Sequence, residues 1–271
     1  MNEYPVRFGP THGLSGVVSA PVGADAGVPR ALLLSNVGML SRIGPFRLYV
    51  ELARMVGDAG WWALRFDESG MGDSAARASG PTRRMDANQD IIDAMDFLQE
   101  THGIEQFVLL GLCSGVDSIY AAAMQDTRVH GAIFIDGYSY PTVRYYVRRA
   151  LRVFDGARWT HFVRRRMERM RTPQRPKSRD VFDRVYPPRA QFTRDIDAFT
   201  GRGARALFVF TATVDQVYNA PRQLFEILGA SGDPSRITAV RAGAADHLFT
   251  RLSARNELIA LVRRWMTVVG A

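Results

Sequence analysis

The sequence is poor in cysteine, in lysine and in long apolar runs, and each shortage removes a class of protein. Cys113 is the only cysteine in 271 residues, so no internal disulfide can form and nothing suggests an oxidising compartment. No stretch approaches the roughly 18 consecutive apolar residues of a membrane span. The opening Met1-Asn2-Glu3-Tyr4-Pro5-Val6-Arg7-Phe8 lacks the basic-then-apolar pattern of a secretory leader. A soluble cytoplasmic protein is the expectation. Metal-binding spacings of the H-E-x-x-H or paired C-x-x-C type are absent, and Gly70-Met71-Gly72 lacks the third glycine and the following helix of a dinucleotide loop, so no cofactor is expected. No recognised nucleic-acid-binding module occurs.

What is present fits one large α/β domain, or such a domain with an insertion. Residues of hydrophobic type make up 46% of the chain, enough to bury a core of that size. The net charge of +8 is unevenly placed. Between Tyr138 and Gly203 there are 17 basic and 6 acidic residues, so the remainder of the chain is slightly acidic. The basicity therefore belongs to one segment. Lys177 is its only lysine, and the rest of the basic residues are arginines.

Short apolar runs alternate with helical patterns. Tyr4–Phe8 and Leu14–Ser19 read as a hairpin. Ala31–Ser35, Trp61–Phe66, Gln106–Leu110, Gly131–Asp136, Ala206–Thr211 and Ile237–Arg241 read as buried strands. Helical spacing appears over Phe46–Val56, Asn88–Glu100, Ser118–Met124, Pro221–Leu228 and Ser253–Met266. The alternation predicts a mostly parallel, doubly wound sheet. It breaks between Tyr138 and Gly203, where no convincing buried strand occurs. The expected organisation is a core of residues 1–137 and 204–271, with 138–203 as an Arg-rich helical lid over the C-terminal edge of the sheet, where open α/β folds bind ligands.

Chemistry points to one place. The run Phe107-Val108-Leu109-Leu110-Gly111-Leu112-Cys113-Ser114-Gly115 is an apolar strand, then a tight turn flanked by glycines, then a helix. This reads as a nucleophile elbow, a strained strand-to-helix turn of the G-x-S-x-G type, with cysteine where serine is usual. Ser114 is the alternative nucleophile, but its neighbours two positions away are Leu112 and Val116, too large for the turn. The expected chain order of nucleophile, acid and histidine is met by Cys113, Asp215 and His247, the latter two just past strands. Asp136, after the strand Gly131–Asp136, is the alternative acid. His247 would take and return the thiol proton, and the acid would fix its tautomer. An oxyanion needs preorganised N–H donors: the backbone N–H of Ser114, and a second from the loop Ser35-Asn36-Val37-Gly38-Met39, where Gly38 is the first choice and Val37 the next. Asp246 reads as a structural neighbour of His247, and His12, His102, His130 and His161 as surface or satisfied residues. Asp67 and Asp73 flank a turn and read as loop supports.

These motifs resemble the α/β-hydrolase superfamily. More narrowly they resemble its exosortase-associated hydrolases, near the serine-aminopeptidase-like lipases. The resemblance rests on Phe8-Gly9-Pro10, Ser35-Asn36-Val37-Gly38, Arg42-Ile43-Gly44-Pro45-Phe46-Arg47-Leu48-Tyr49, Leu64-Arg65-Phe66-Asp67-Glu68-Ser69-Gly70-Met71-Gly72-Asp73-Ser74, the Cys113 elbow, and Asp246-His247-Leu248-Phe249-Thr250. The lid matches only at Tyr145-Tyr146-Val147-Arg148-Arg149. The resemblance implies a central sheet flanked by helices, with Cys113, Asp215 and His247 in the triad positions and Ser114 and Gly38 at the oxyanion. In this sequence Asn36-Val37-Gly38 replaces the His-Gly motif common after that first central strand.

A Cys–His pair forms acyl-thioesters, which favour transfer to amines, thiols or carbon nucleophiles over water more than oxyesters do. The expected activity is therefore thioester or ester hydrolysis, or acyl transfer, through Cys113. Hydrolysis of a small ester, lactone or C–C bond by the same residues is one alternative, and a catalytically silent binding scaffold is another. Arg144, Arg148 and Arg152 recur every four residues beside Tyr145 and Tyr146. Arg148 and Tyr145 are the candidate substrate contacts, suited to a phosphate-bearing partner such as an acyl-carrier protein or coenzyme A.

Overall fold

A computed structural model describes residues 2–23, 28–77, 83–151, 184, 186–215 and 217–269. Continuous apolar segments build the centre. The strands are β1 (Asn2–Phe8), β2 (Leu14–Ala20), β3 (Arg30–Leu34), β4 (Trp62–Asp67), β5 (Gln106–Leu112), β6 (Val129–Ile135), β7 (Arg205–Thr211) and β8 (Ile237–Ala242). They form one sheet in the order β1-β2-β4-β3-β5-β6-β7-β8. β1 and β2 pair antiparallel, β2 joins β4 antiparallel, and every later pairing is parallel. The helices are α1 (Leu48–Asp58), α2 (Arg83–His102), α3 (Ser114–Gln125), α4 (Val143–Leu151), α5 (Arg189–Gly201), α6 (Gln223–Leu228) and α7 (Leu252–Val269).

Strand periodicity sorts side chains between two cores. Phe107, Phe134, Phe208 and Phe210 point to the face covered by α2, α3 and α5, against Ile91, Met95, Ile119, Phe192 and Ile196. Val108, Leu110, Ile133, Ile135, Leu207 and Val209 point to the opposite face, against Leu52 and Val56 of α1 and Leu258, Val262 and Trp265 of α7. Both faces are covered, so β3, β5, β6 and β7 carry polar side chains only at or next to their ends.

The Arg-rich segment divides differently from expectation at its C-terminal end. α5 buries Phe192, Ile196 and Phe199 in the core as the crossover helix between β6 and β7. Its arginines mask an apolar stripe at helical spacing. Within the expected lid, residues 152–183 and 185 lie outside the described residues, and Arg152 and His161 with them. Among the described residues no helix is long and apolar enough to cross a membrane.

Candidate active site

The elbow is shaped by contacts that exclude side chains. Cys113 has φ 55° and ψ −118°, a left-handed conformation between β5 and α3 that a non-glycine residue adopts only under constraint. A Cβ on Gly111 would collide with the Gly115 carbonyl, and one on Gly115 would lie 2.5 Å from the carbonyl oxygen of Asn36. The two flanking glycines thus let strand, helix and the loop after β3 meet at one point, and the thiol stands at that point, partly exposed.

Register brings the acid beside it. Leu112 of β5 pairs with Ile135 of β6, so Cys113 and Asp136 leave neighbouring strands at the same level. Asp136 also has a positive φ, 49°. Its carboxylate is fully buried and accepts from the Thr211 backbone N–H and hydroxyl, both at 2.7 Å, and pairs with His247 Nδ1 at 2.7 Å. The other side of the imidazole meets the thiol: His247 and Cys113 are hydrogen-bonded. The chain Cys113–His247–Asp136 is therefore continuous.

Asp215 is elsewhere. It follows a short 3-10 turn after β7 and makes an ion pair with Arg241, at 2.7 Å. The alternative, Asp136, faces His247, and the physical reason is distance across the sheet. β6 adjoins β5, the strand that leads into Cys113, whereas β7 is one strand further away, and Asp215 lies four residues beyond its end.

Electrostatics of the pair follow from these contacts. The Asp136 hydrogen bond, reinforced by that of Cys113, pushes His247 up to about 10 against the opposing effect of burial. Burial disfavours the Cys113 thiolate, but the hydrogen bond and charge of His247, the charge of Arg184 and the Ser114 N–H together outweigh it, and the thiol titrates below its ordinary value. Both shifts favour the thiolate–imidazolium form of the pair.

Arg184 is a site residue that sequence reasoning missed. Its guanidinium is forked onto Asp117 of α3 at 2.8–3.2 Å and donates to the Asp136 carbonyl oxygen at 2.9 Å. The rings of Tyr138 and Tyr186 lie 5.5 and 5.2 Å from it. The available signal was Asp117, an acidic residue in the first turn after Cys113 that needs a cation.

The oxyanion loop is tied down by Asn36. Its Oδ1 accepts from the Glu68 N–H at 2.6 Å, its Nδ2 donates to the Leu40 carbonyl at 2.7 Å, and Ser35 donates to Glu68 at 2.5 Å. The loop thus presses on the N-terminus of α3. Gly38, the expected direct donor, is committed differently: its N–H donates to Ser114 Oγ at 2.8 Å.

The expected substrate contacts are also committed. Arg148 donates to Asn219 and pairs with Glu226 of α6, both at 2.8 Å. Tyr145 is buried, its hydroxyl accepting from Arg149 and its carbonyl from Asn219. Both anchor α4 to the loop and helix after β7, because Glu226, distant in sequence, supplies the charge that Arg148 satisfies. An open cavity of about 780 Å³ lies beside this anchor, lined by Arg144, Arg189, Arg222 and Phe225 among others. Among the described residues no group of three His, Cys, Asp or Glu side chains is placed to hold a metal.

No family profile and no curated protein matches the chain. Solved structures do. The esterase domain of a Rhodothermus marinus protein is 16% identical over 97% of both chains, with a TM-score of 0.59. An α/β serine hydrolase without a lid from Xanthomonas campestris is 18% identical, covering 98% of this chain and 95% of its own, with a TM-score of 0.56. Mouse α/β hydrolase domain-containing protein 10 is 12% identical, covering 98% and 99%, with a TM-score of 0.57. With its eight-stranded, mostly parallel sheet flanked by helices, this chain has the α/β-hydrolase fold.

Proposed function

We propose that the protein is an acyl-transfer enzyme of the thioesterase, esterase or acyltransferase type, working through an acyl-thioester on Cys113. The observation that carries this reading is the continuous hydrogen-bonded chain from Cys113 through His247 to Asp136, set on a strained elbow.

In the first half-reaction the Cys113 sulfur attacks the acyl carbon. The carbonyl electron pair moves onto oxygen, which the Ser114 N–H receives. On collapse the C=O bond reforms and the alcohol or thiol departs with the proton of the His247 imidazolium. In the second half-reaction His247 takes a proton from the incoming acceptor, water or another nucleophile, which displaces the sulfur. Asp136 holds the imidazole tautomer and offsets its positive charge throughout. A cysteine suits this site because its lowered thiol gives up a proton far more readily than a serine hydroxyl, which must be deprotonated during attack.

The candidate acyl donors are carrier-protein- or CoA-linked. What supports that choice is the cavity between α4 and α6, where Arg144 and Arg222 stand beside Phe225, suited to phosphate next to an apolar or aromatic group. This reading moves the anion contact from Arg148 to these arginines. The test is intact-mass analysis after incubation with p-nitrophenyl butyrate and, separately, butyryl-CoA. The expected result is one butyryl adduct that maps to Cys113 and is absent from Cys113→Ala. With butyryl-CoA, its formation should slow with added salt and in Arg222→Glu. No adduct from either donor contradicts the enzymatic reading. An adduct whose formation from butyryl-CoA ignores both salt and Arg222→Glu contradicts the phosphate contact alone.

A further inference from the structure

An oxyanion hole in this fold draws on backbone N–H groups, and sequence reasoning expected Gly38 to be one of them. The structure puts an obstacle in the way. The Gly38 N–H points at Ser114 Oγ, 2.8 Å away, so an incoming carbonyl oxygen meets a hydroxyl where it would have met an amide. Ser114 is the residue after the nucleophile, and its own N–H already donates to the Cys113 sulfur. One residue therefore places two donors beside the reacting carbon, the amide and the hydroxyl.

The chemistry of the hydroxyl completes the argument. As an acceptor from Gly38 it uses one lone pair, and among the described residues no acceptor takes its proton. A hydroxyl that accepts a hydrogen bond becomes a stronger donor, because each bond in such a chain polarises the next. The position is also held from both sides. Asn36 ties the Gly38 loop to Glu68 and Leu40, and Gly115 lets the Asn36 carbonyl pack against the start of α3. The hydroxyl thus points from a fixed frame, which is what preorganised stabilisation of a developing charge requires.

From this geometry we infer that the Ser114 hydroxyl is itself a donor of the oxyanion hole, so that Gly38 acts on the developing charge through Ser114 and not directly. The inference rests on the acyl-transfer reading. As sulfur attacks, the S–C bond forms and the carbonyl pair moves to oxygen. Ser114 gives that oxygen a hydrogen bond and keeps its proton. When the C=O bond reforms, the hydrogen bond weakens and no proton has left Ser114.

Two reactions of the same sulfur separate this role from any other. Alkylation by iodoacetamide needs the thiolate but forms no oxyanion, whereas acylation by p-nitrophenyl butyrate needs both. Ser114→Ala should be alkylated at the wild-type rate, which also reports an intact site. Its acylation rate should fall on the order of 10²-fold, the cost of one oxyanion donor. Ser114→Thr, which keeps the hydroxyl, should recover most of the loss. Acylation of Ser114→Ala at the wild-type rate overturns the inference. So does a parallel fall in alkylation and acylation, which would place Ser114's effect on the thiolate. Wild-type protein that is alkylated but never acylated overturns the acyl-transfer reading and this inference together, and is told apart from the first two results by the wild type alone.

Discussion

At the scale of single residues, the account turns on which carboxylate serves His247. Asp136 is fully buried and accepts three hydrogen bonds, one of them from the imidazole, whereas Asp215 is half exposed and paired with Arg241. Asp136→Asn keeps the shape but removes the charge that holds the imidazolium, and should lower turnover of p-nitrophenyl butyrate by about 10²-fold or more. Asp215→Asn should leave turnover near wild type. Steady-state rates of the two variants decide the matter, and the reverse order contradicts the assignment. Chain order alone favoured Asp215, because it counts residues along the sequence and not strands across the sheet. Leu112 pairing with Ile135 is what brings Asp136 level with Cys113, and that register is not written in either segment alone. Arg148 shows the same limit. Its spacing from Arg144 suggested a shared cationic face, but Glu226 claims it from another helix.

At the scale of elements, the β5–Cys113–α3 unit was legible because its constraints are local. Apolar residues mark the strand, and small residues mark the turn at Gly111 and Gly115. The structure adds why both must be glycine, since each would otherwise drive a Cβ into a backbone carbonyl. Gly115→Ala should therefore cost about 1–3 kcal/mol in urea unfolding, the usual cost of overpacking. Acylation should fall as well, because the Asn36 carbonyl and the Ser114 N–H must move apart. An unfolding midpoint equal to wild type would contradict this close approach. The helix α5 was illegible for the opposite reason. Its buried Phe192, Ile196 and Phe199 are interleaved with Thr193, Arg194, Asp195 and Asp197, and only docking on the sheet reveals which residues face inward.

At the scale of the whole molecule, the fold's work is to bring three strand ends to one edge and set opposite charges there. His247 raised to about 10 and Cys113 lowered from its ordinary value both favour the ionised pair. The sign is fixed by the chemistry. As pH falls through the lowered thiol value the nucleophile is protonated, and turnover declines. As pH rises through about 10 the imidazolium loses the proton that the leaving group needs, and turnover declines again. Alkylation depends on the thiolate alone, so it should show only the acid limb. The most direct measurement is therefore the rate of Cys113 alkylation by iodoacetamide against pH, in wild type and in His247→Ala. The account predicts that wild type stays reactive below the ordinary thiol range and that His247→Ala shifts the midpoint upward. Superimposable profiles, both at the ordinary thiol value, would contradict it.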